Sequence, residues 1–252
     1  MQSNNAAAAR DPRIEALIAK AEAATWPADD AAFWSSRAVR PRHISRAKYR
    51  AMVSQIYHGE CTTLAVCKRL SDEIPDPLAA RFLALQADEE RRHAQMFERY
   101  LEPLGGIAPV DPGLGGAFAR TLSWDGPWQA VAVAVNVILE AETIRLLLRS
   151  PHLFSCPKLR TIIDVVTRDE ARHLAFGRLF IAPHLAALSV EERRRIYLWV
   201  LSLWRECIYT PRGGVLALVL RFKRRRLRRL WDGHNAAMCD IGLVSEGETV
   251  AA

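Results

Sequence analysis

Apolar residues in this chain recur at three- and four-residue steps over long runs, and no useful stretch alternates with the period of a strand. From Ser45 the series Ile56, Glu60, Thr63, Leu64 and Cys67 marks a first long helix, which the prolines of "SDEIPDP" at 71–77 bring to a stop. A second helix is predicted over about 78–101, closed by "EPLGG". Glycine and proline then crowd 102–126, a long connection and not a hairpin turn. A third helix is predicted over about 127–149, ended by "SPHLFSCP", and a fourth over about 158–182, ended by Pro183. "SVEE" caps a fifth over about 190–209, and a basic helix follows over about 215–231. The first 40 residues suggest a short helix or loose lead-in, and the last twenty look loose. The resulting division is a lead-in over 1–44, a helical body over 45–209, and a basic helix and tail over 210–252.

Two of the apolar helices carry the same ionisable series. "ADEERRHAQM" places Glu89, Glu90, Arg92 and His93 on the second helix. "TRDEARHLAF" places Asp169, Glu170, Arg172 and His173 on the fourth. An offset of 80 aligns Glu90 with Glu170 and His93 with His173, and also Glu60 with Glu140 and Thr63 with Thr143. In each half the first glutamate precedes the second by 30 residues. At ~1.5 Å per residue, an antiparallel hairpin brings both to nearly equal depth. Glu-x-x-His is an i, i+3 pair, so both side chains share one helix face.

Four inward-facing helices would present Glu60, Glu90 with His93, Glu140, and Glu170 with His173, the ligand set of di-iron and di-manganese carboxylate proteins. Four buried carboxylates without cations repel one another and resist ionisation. Two divalent ions offset that charge, and neutral imidazoles add ligands without adding any. Carboxylate-rich ligation with one nitrogen per metal suits iron or manganese. Glu142 is the rival to Glu140. Two positions along a helix is nearly the opposite side, and both the repeat and the phase with Val133, Asn136, Ile144 and Leu147 select Glu140. Glu142 stays open as an alternative ligand or neighbour of one.

At these residues the chain resembles the ferritin-like di-iron carboxylate superfamily. "DEARH" is similar to an element of bacterial multicomponent monooxygenases, acyl-carrier-protein desaturases and ribonucleotide reductase small subunits, and "EERRH" is a near copy. The resemblance implies an all-α, ferritin-like four-helix bundle with one long crossover, here with extra C-terminal helices. It implies two Fe ions, or a Mn/Fe pair. Asp169 would accept a hydrogen bond from a ligand histidine and Arg172 would pair with acidic neighbours, with Glu89 and Arg92 mirroring them. Thr63 and Thr143, one turn after the single glutamates, would border the O2 face or merely bond their own helix backbone. Phe97 stands where many reductase subunits keep a radical-forming tyrosine, which argues against that activity. The expected function is an oxygenase or oxidase that uses O2 and an external electron donor to hydroxylate, N-oxygenate or desaturate a small organic or carrier-bound substrate. Ile56, Leu64, Leu83, Phe97, Val137, Ile144, Phe176 and Phe180 are candidate pocket walls. The alternatives are ferritin- or rubrerythrin-like iron or peroxide handling, and a helical binding protein with a structural metal.

Composition adds three points. Among 252 residues the formal charge is +7, and "RFKRRRLRR" at 221–229 alone holds seven basic residues, so the rest is near neutral. With Leu218, Phe222 and Trp231 this segment predicts a surface for an acidic carrier protein, an anionic membrane or RNA. The longest apolar stretch, "WQAVAVAVNVIL", falls short of the roughly 20 residues of a membrane span and reads as a core helix. Five cysteines without a C-x-x-C pair point away from disulfides, a cysteine zinc site or a rubredoxin-like centre. A cytoplasmic protein is expected, as a homodimer if the apolar helix flanks are to be covered.

Overall fold

A computed structural model describes residues 11–24, 26, 31–35, 38–149, 155–209 and 229–251. Among them every regular element is helical. In chain order these are α1 (Pro12–Glu22), α2 (Ala31–Ser35), α3 (Arg46–Glu73), α4 (Pro77–Leu101), α5 (Pro112–Leu122), α6 (Trp128–Ala132), α7 (Glu140–Arg149), α8 (Pro157–Ala186) and α9 (Val190–Tyr209). A last helix, α10, spans 229–240. None is long and apolar enough to cross a membrane.

The helix starts follow local chemistry. Ser45 caps α3 by accepting from the Lys48 amide, and Asp76 caps α4 by accepting from Leu78 and Ala79, with Pro77 in the first turn where its missing N–H costs nothing. α3 and α4 pack as an antiparallel hairpin, pinned by the buried Tyr49–Tyr100 hydroxyl pair at 3.1 Å. α7 packs on α8, and α4 meets α8. Ser189 and Glu192 form a reciprocal capping box at the start of α9.

Several expectations need correction. The glycine-rich connection contains α5, which packs on α9. Its signal was present: Asp111 accepts from the Gly113 amide, with Pro112 just inside the helix. α8 does not stop at Pro183 but runs to Ala186. One lost hydrogen bond in the last turn is tolerable, and His184 Nδ1 donates to the Phe180 carbonyl at 2.8 Å. The third helix is not uniform: Val133–Leu139 is π-helical, between α6 and α7.

Both flanks also belong to the core. Ile14 and Ile18 of α1 share one apolar cluster with Val66, Leu83, Val137, Phe176, Trp231 and Met238. The last twenty residues are not loose. Ile241, Leu243 and Val244 are buried, and the Val250 carbonyl accepts from Trp231 Nε1 and the Tyr197 hydroxyl. Trp231 is fully buried, so it is no surface anchor, while Leu218, Phe222 and residues 221–228 lie outside the described residues.

Gly177 fixes how closely α8 approaches the π-helical turn. A Cβ there would lie 2.7 Å from Asn136 Cβ and 2.9 Å from its carbonyl oxygen. Both neighbours are near or in backbone and cannot swing aside. Gly177→Ala is expected to cost about 1–3 kcal/mol through overpacking. Thermal unfolding checks this, and an unchanged midpoint would contradict it.

Candidate metal centre

Glu60 on α3, Glu90 and His93 on α4, Glu140 at the head of α7, and Glu170 and His173 on α8 meet in the interior. None is more than 3 % exposed. Among the described residues two groups could each hold a metal ion: Glu60, Glu90, His93 and Glu170, and Glu90, Glu140, Glu170 and His173. Within each, the ligand atoms lie within 4.8 Å of one another.

Glu90 and Glu170 belong to both groups, and their oxygens divide between them. His93 Nδ1 lies 3.3 Å from Glu60 Oε2, 3.3 Å from Glu90 Oε2 and 3.7 Å from Glu170 Oε1. His173 Nδ1 lies 3.0 Å from Glu90 Oε1, 3.0 Å from Glu170 Oε2 and 3.6 Å from Glu140 Oε1. Each shared carboxylate thus turns one oxygen to each imidazole. That is the geometry by which a carboxylate bridges two cations.

The other imidazole nitrogens are tied crosswise. His93 Nε2 on α4 faces Asp169 Oδ2 on α8 at 3.5 Å, and His173 Nε2 on α8 faces Glu89 Oε2 on α4 at 2.8 Å. Arg172 Nη2 donates to Glu89 Oε1 and Asp169 Oδ1, both at 2.6 Å. One guanidinium therefore holds the two carboxylates that orient the rings, leaving each Nδ1 aimed at the centre. Arg92 does not mirror this. Its guanidinium lies 4.6 Å over the Trp26 ring, and Trp26 packs 5.2 Å from the His93 ring. The lead-in thus covers one ligand histidine. An aromatic column covers the other: Phe82 stacks on Phe176, Phe176 on Phe180, and Phe180 on Trp128.

Glu142 is not part of the cluster. Its Oε1 accepts from Arg145 Nη1 and lies 2.6 Å from Nε2 of the buried His234 on α10. Thr63 is buried and Thr143 half-buried, and among the described contacts neither hydrogen-bonds a cluster carboxylate. The eight candidate pocket walls line none of the described cavities. A cavity of about 160 Å³ instead lies among Ala134, Val135, Ile138, Leu139, Phe118 and Trp204. The same π-helical stretch turns Asn136 the other way, toward the carboxylates. Sequence reasoning missed Gln86 too: it accepts from Asn136 Nδ2 at 2.9 Å and donates to Glu140 Oε1 at 2.9 Å. Gln86 lies one turn before Glu90, on the same helix face, and that spacing was its available signal.

By sequence, no family model and no curated protein matches the chain. Its site is read on chemistry alone.

The donor set fits divalent cations. Burial raises Glu60 and Glu140 well above the ordinary carboxyl range, and the neighbouring Glu170 adds to both. Burial disfavours charge on Glu90 as well, yet hydrogen bonds to His173 and His93 bring it below that range. Burial likewise opposes charge on the imidazoles, but the surrounding carboxylates, Asp169 foremost for His93 and Glu140 for His173, raise both well above normal. Without cations the cluster keeps protons on Nδ1 and on carboxyls. Buried Glu60 Oε1 and Glu170 Oε1 have no hydrogen-bond partner. A cation at each Nδ1 would replace those protons and leave the Nε2 contacts intact. Cys67 belongs to neither group, and burial, with the Glu90 charge behind it, pushes its thiol well up.

Raised groups hold more protons folded than unfolded, so metal-free stability falls as pH rises above about 4.5, the ordinary carboxyl value, and on through the histidine range. Depressed Glu90 and Asp169 act oppositely, only at lower pH. Chelated protein is expected to melt at lower temperature at pH 8 than at pH 6, with divalent metal narrowing the difference. A metal-free melting point that rises over that interval contradicts the assignment. Glu140→Ala is expected to lower bound metal, whereas Glu142→Ala should keep it and lose about 1–3 kcal/mol by stranding His234. Elemental analysis and thermal unfolding separate the two.

Proposed function

We propose that the chain is a non-haem di-iron oxidoreductase of ferritin-like build, using O2 and an external electron donor to oxidise an organic substrate. The observation that carries this reading is the sharing of Glu90 and Glu170 between two buried clusters, each completed by one glutamate and one histidine. Oxygen-rich ligation with one imidazole per position suits iron, or manganese beside iron, better than zinc. Hydroxylation, N-oxygenation and desaturation all fall within this reading.

When bound, the iron pair supplies the one-electron and O2 chemistry that side chains lack. The chain supplies the rest. Glu60, Glu90, Glu140 and Glu170 would balance the charge of two divalent cations, with Glu60 and Glu140 giving up protons to do so. Asp169 and Glu89, held by Arg172, keep each Nε2 protonated and each Nδ1 free to ligate. Complete burial of Glu90, His93, Glu170 and His173 keeps bulk water from the reacting centre. Trp26 and the Phe82–Phe176 stack give the two histidines apolar walls.

The test is to load the chain with ferrous iron without oxygen, admit O2, and follow oxygen uptake and the visible spectrum. The expected result is rapid uptake by two irons per chain, with a transient absorbance that decays faster when a suitable organic compound is added. Accumulation of far more than two ferric ions per chain would instead support iron storage. Ferrous protein inert to O2 would leave only a structural metal.

A further inference from the structure

The two halves of the centre are related by the 80-residue repeat, and among the positions where they differ are two buried pairs beside the carboxylates. Gln86 corresponds to Val166, and Asn136 to Ile56. All four side chains are buried. One half therefore carries an amide relay where the other carries two hydrocarbon side chains.

The hydrogen bonds show what the relay does. Asn136 Nδ2 donates to Gln86 Oε1, which turns the Gln86 Nε2 donor toward the centre. That donor meets Glu140 Oε1 at 2.9 Å and Glu90 Oε1 at 3.4 Å. Both oxygens lie on the His173 side. Their counterparts under the repeat are Glu60 Oε2 and Glu170 Oε1, which lie on the His93 side. Among the described residues neither meets an amide: Glu60 Oε2 is met by His93 Nδ1 itself, and Glu170 Oε1, like Glu60 Oε1, has no hydrogen-bond partner. The π-helical turn and Gly177 belong to the same device, since the close approach of α8 fixes the backbone that carries Asn136.

Resting on the metal-centre reading above, we propose that Gln86, aimed by Asn136, is a positioning residue for one cation position only, making the two positions unequal. The Glu140–His173 position is built in advance. Glu140 is held through one oxygen, which sets its rotamer and directs its other oxygen to the cation. The Glu60–His93 position has no such donor. Glu60 Oε1 and Glu170 Oε1, which have no hydrogen-bond partner, acquire one only from the cation itself or from a ligand that carries its own proton. The inequality originates in the chain and does not require two different metals.

The test uses cobalt(II) as a spectroscopic cation and the full chain throughout. Glu60→Ala leaves only the Glu140–His173 position complete, and Glu140→Ala leaves only the other. Gln86→Met, which removes the amide at nearly constant volume, is added to each. Losing an outer hydrogen bond to a ligand costs roughly tenfold or more in metal affinity. Gln86→Met is therefore expected to weaken cobalt binding about tenfold in the Glu60→Ala chain and less than twofold in the Glu140→Ala chain. The cobalt visible spectrum should shift in the first chain alone. Asn136→Ile, which leaves Gln86 in place but unaimed, should repeat the pattern more weakly and guards against a folding defect of the first variant. Equal weakening in both chains would mean that Gln86 acts only on general packing, and no weakening in either would mean that the amide does not position Glu140; each overturns the inference. An unaltered chain that binds no cobalt rejects the metal centre itself, an outcome distinct from both.

Discussion

Six carboxyl groups share one buried interior with two imidazoles and one guanidinium, and the need to neutralise them governs the arrangement of the helices around it. Burying one unpaired carboxylate costs several kcal/mol. The chain answers in layers. Arg172 settles Glu89 and Asp169, which settle the outer nitrogens of the histidines. The inner nitrogens and four glutamates are then left facing one another. Protons satisfy that inner set in part, and a pair of divalent cations would satisfy it fully.

The rest of the architecture serves that requirement. α3 with α4 and the π-helical stretch with α7 and α8 bring the duplicated residues to one depth. The N-terminal segment lays Trp26 against His93. The C-terminal strap, through Trp231, Tyr197 and Val250, closes the apolar core beside α9, and His234 on α10 captures Glu142. Among the departures of the repeat from symmetry, Gln86, held by Asn136, falls against Glu140 and Glu90.

Much of the site was legible because helical chemistry is periodic. Glu-x-x-His puts two side chains on one face, and a separation of 30 residues across a hairpin brings two glutamates level. Glu140 could be told from Glu142 by helical phase, and the contacts of Glu142 with Arg145 and His234 show what the other phase is for. The helix inside the crossover carried a legible Asp-Pro start that glycine content obscured. The π-helical turn was not legible, because apolar spacing over so few residues does not distinguish it from an α-helical turn. The crossed pairing of Asp169 with His93 and Glu89 with His173 depends on how α4 and α8 face each other, and residue spacing does not encode that. Trp26 and the C-terminal strap were missed for a related reason: short apolar segments show their partners only in three dimensions.

The most direct measurement is a crystal structure of metal-replete protein with anomalous scattering recorded at the iron and manganese absorption edges. The account predicts two peaks inside the chain, one bonded to His93 Nδ1 and Glu60, the other to His173 Nδ1 and Glu140, with Glu90 and Glu170 spanning both. A single peak, or metal held elsewhere while these six side chains bond only to one another, would contradict it.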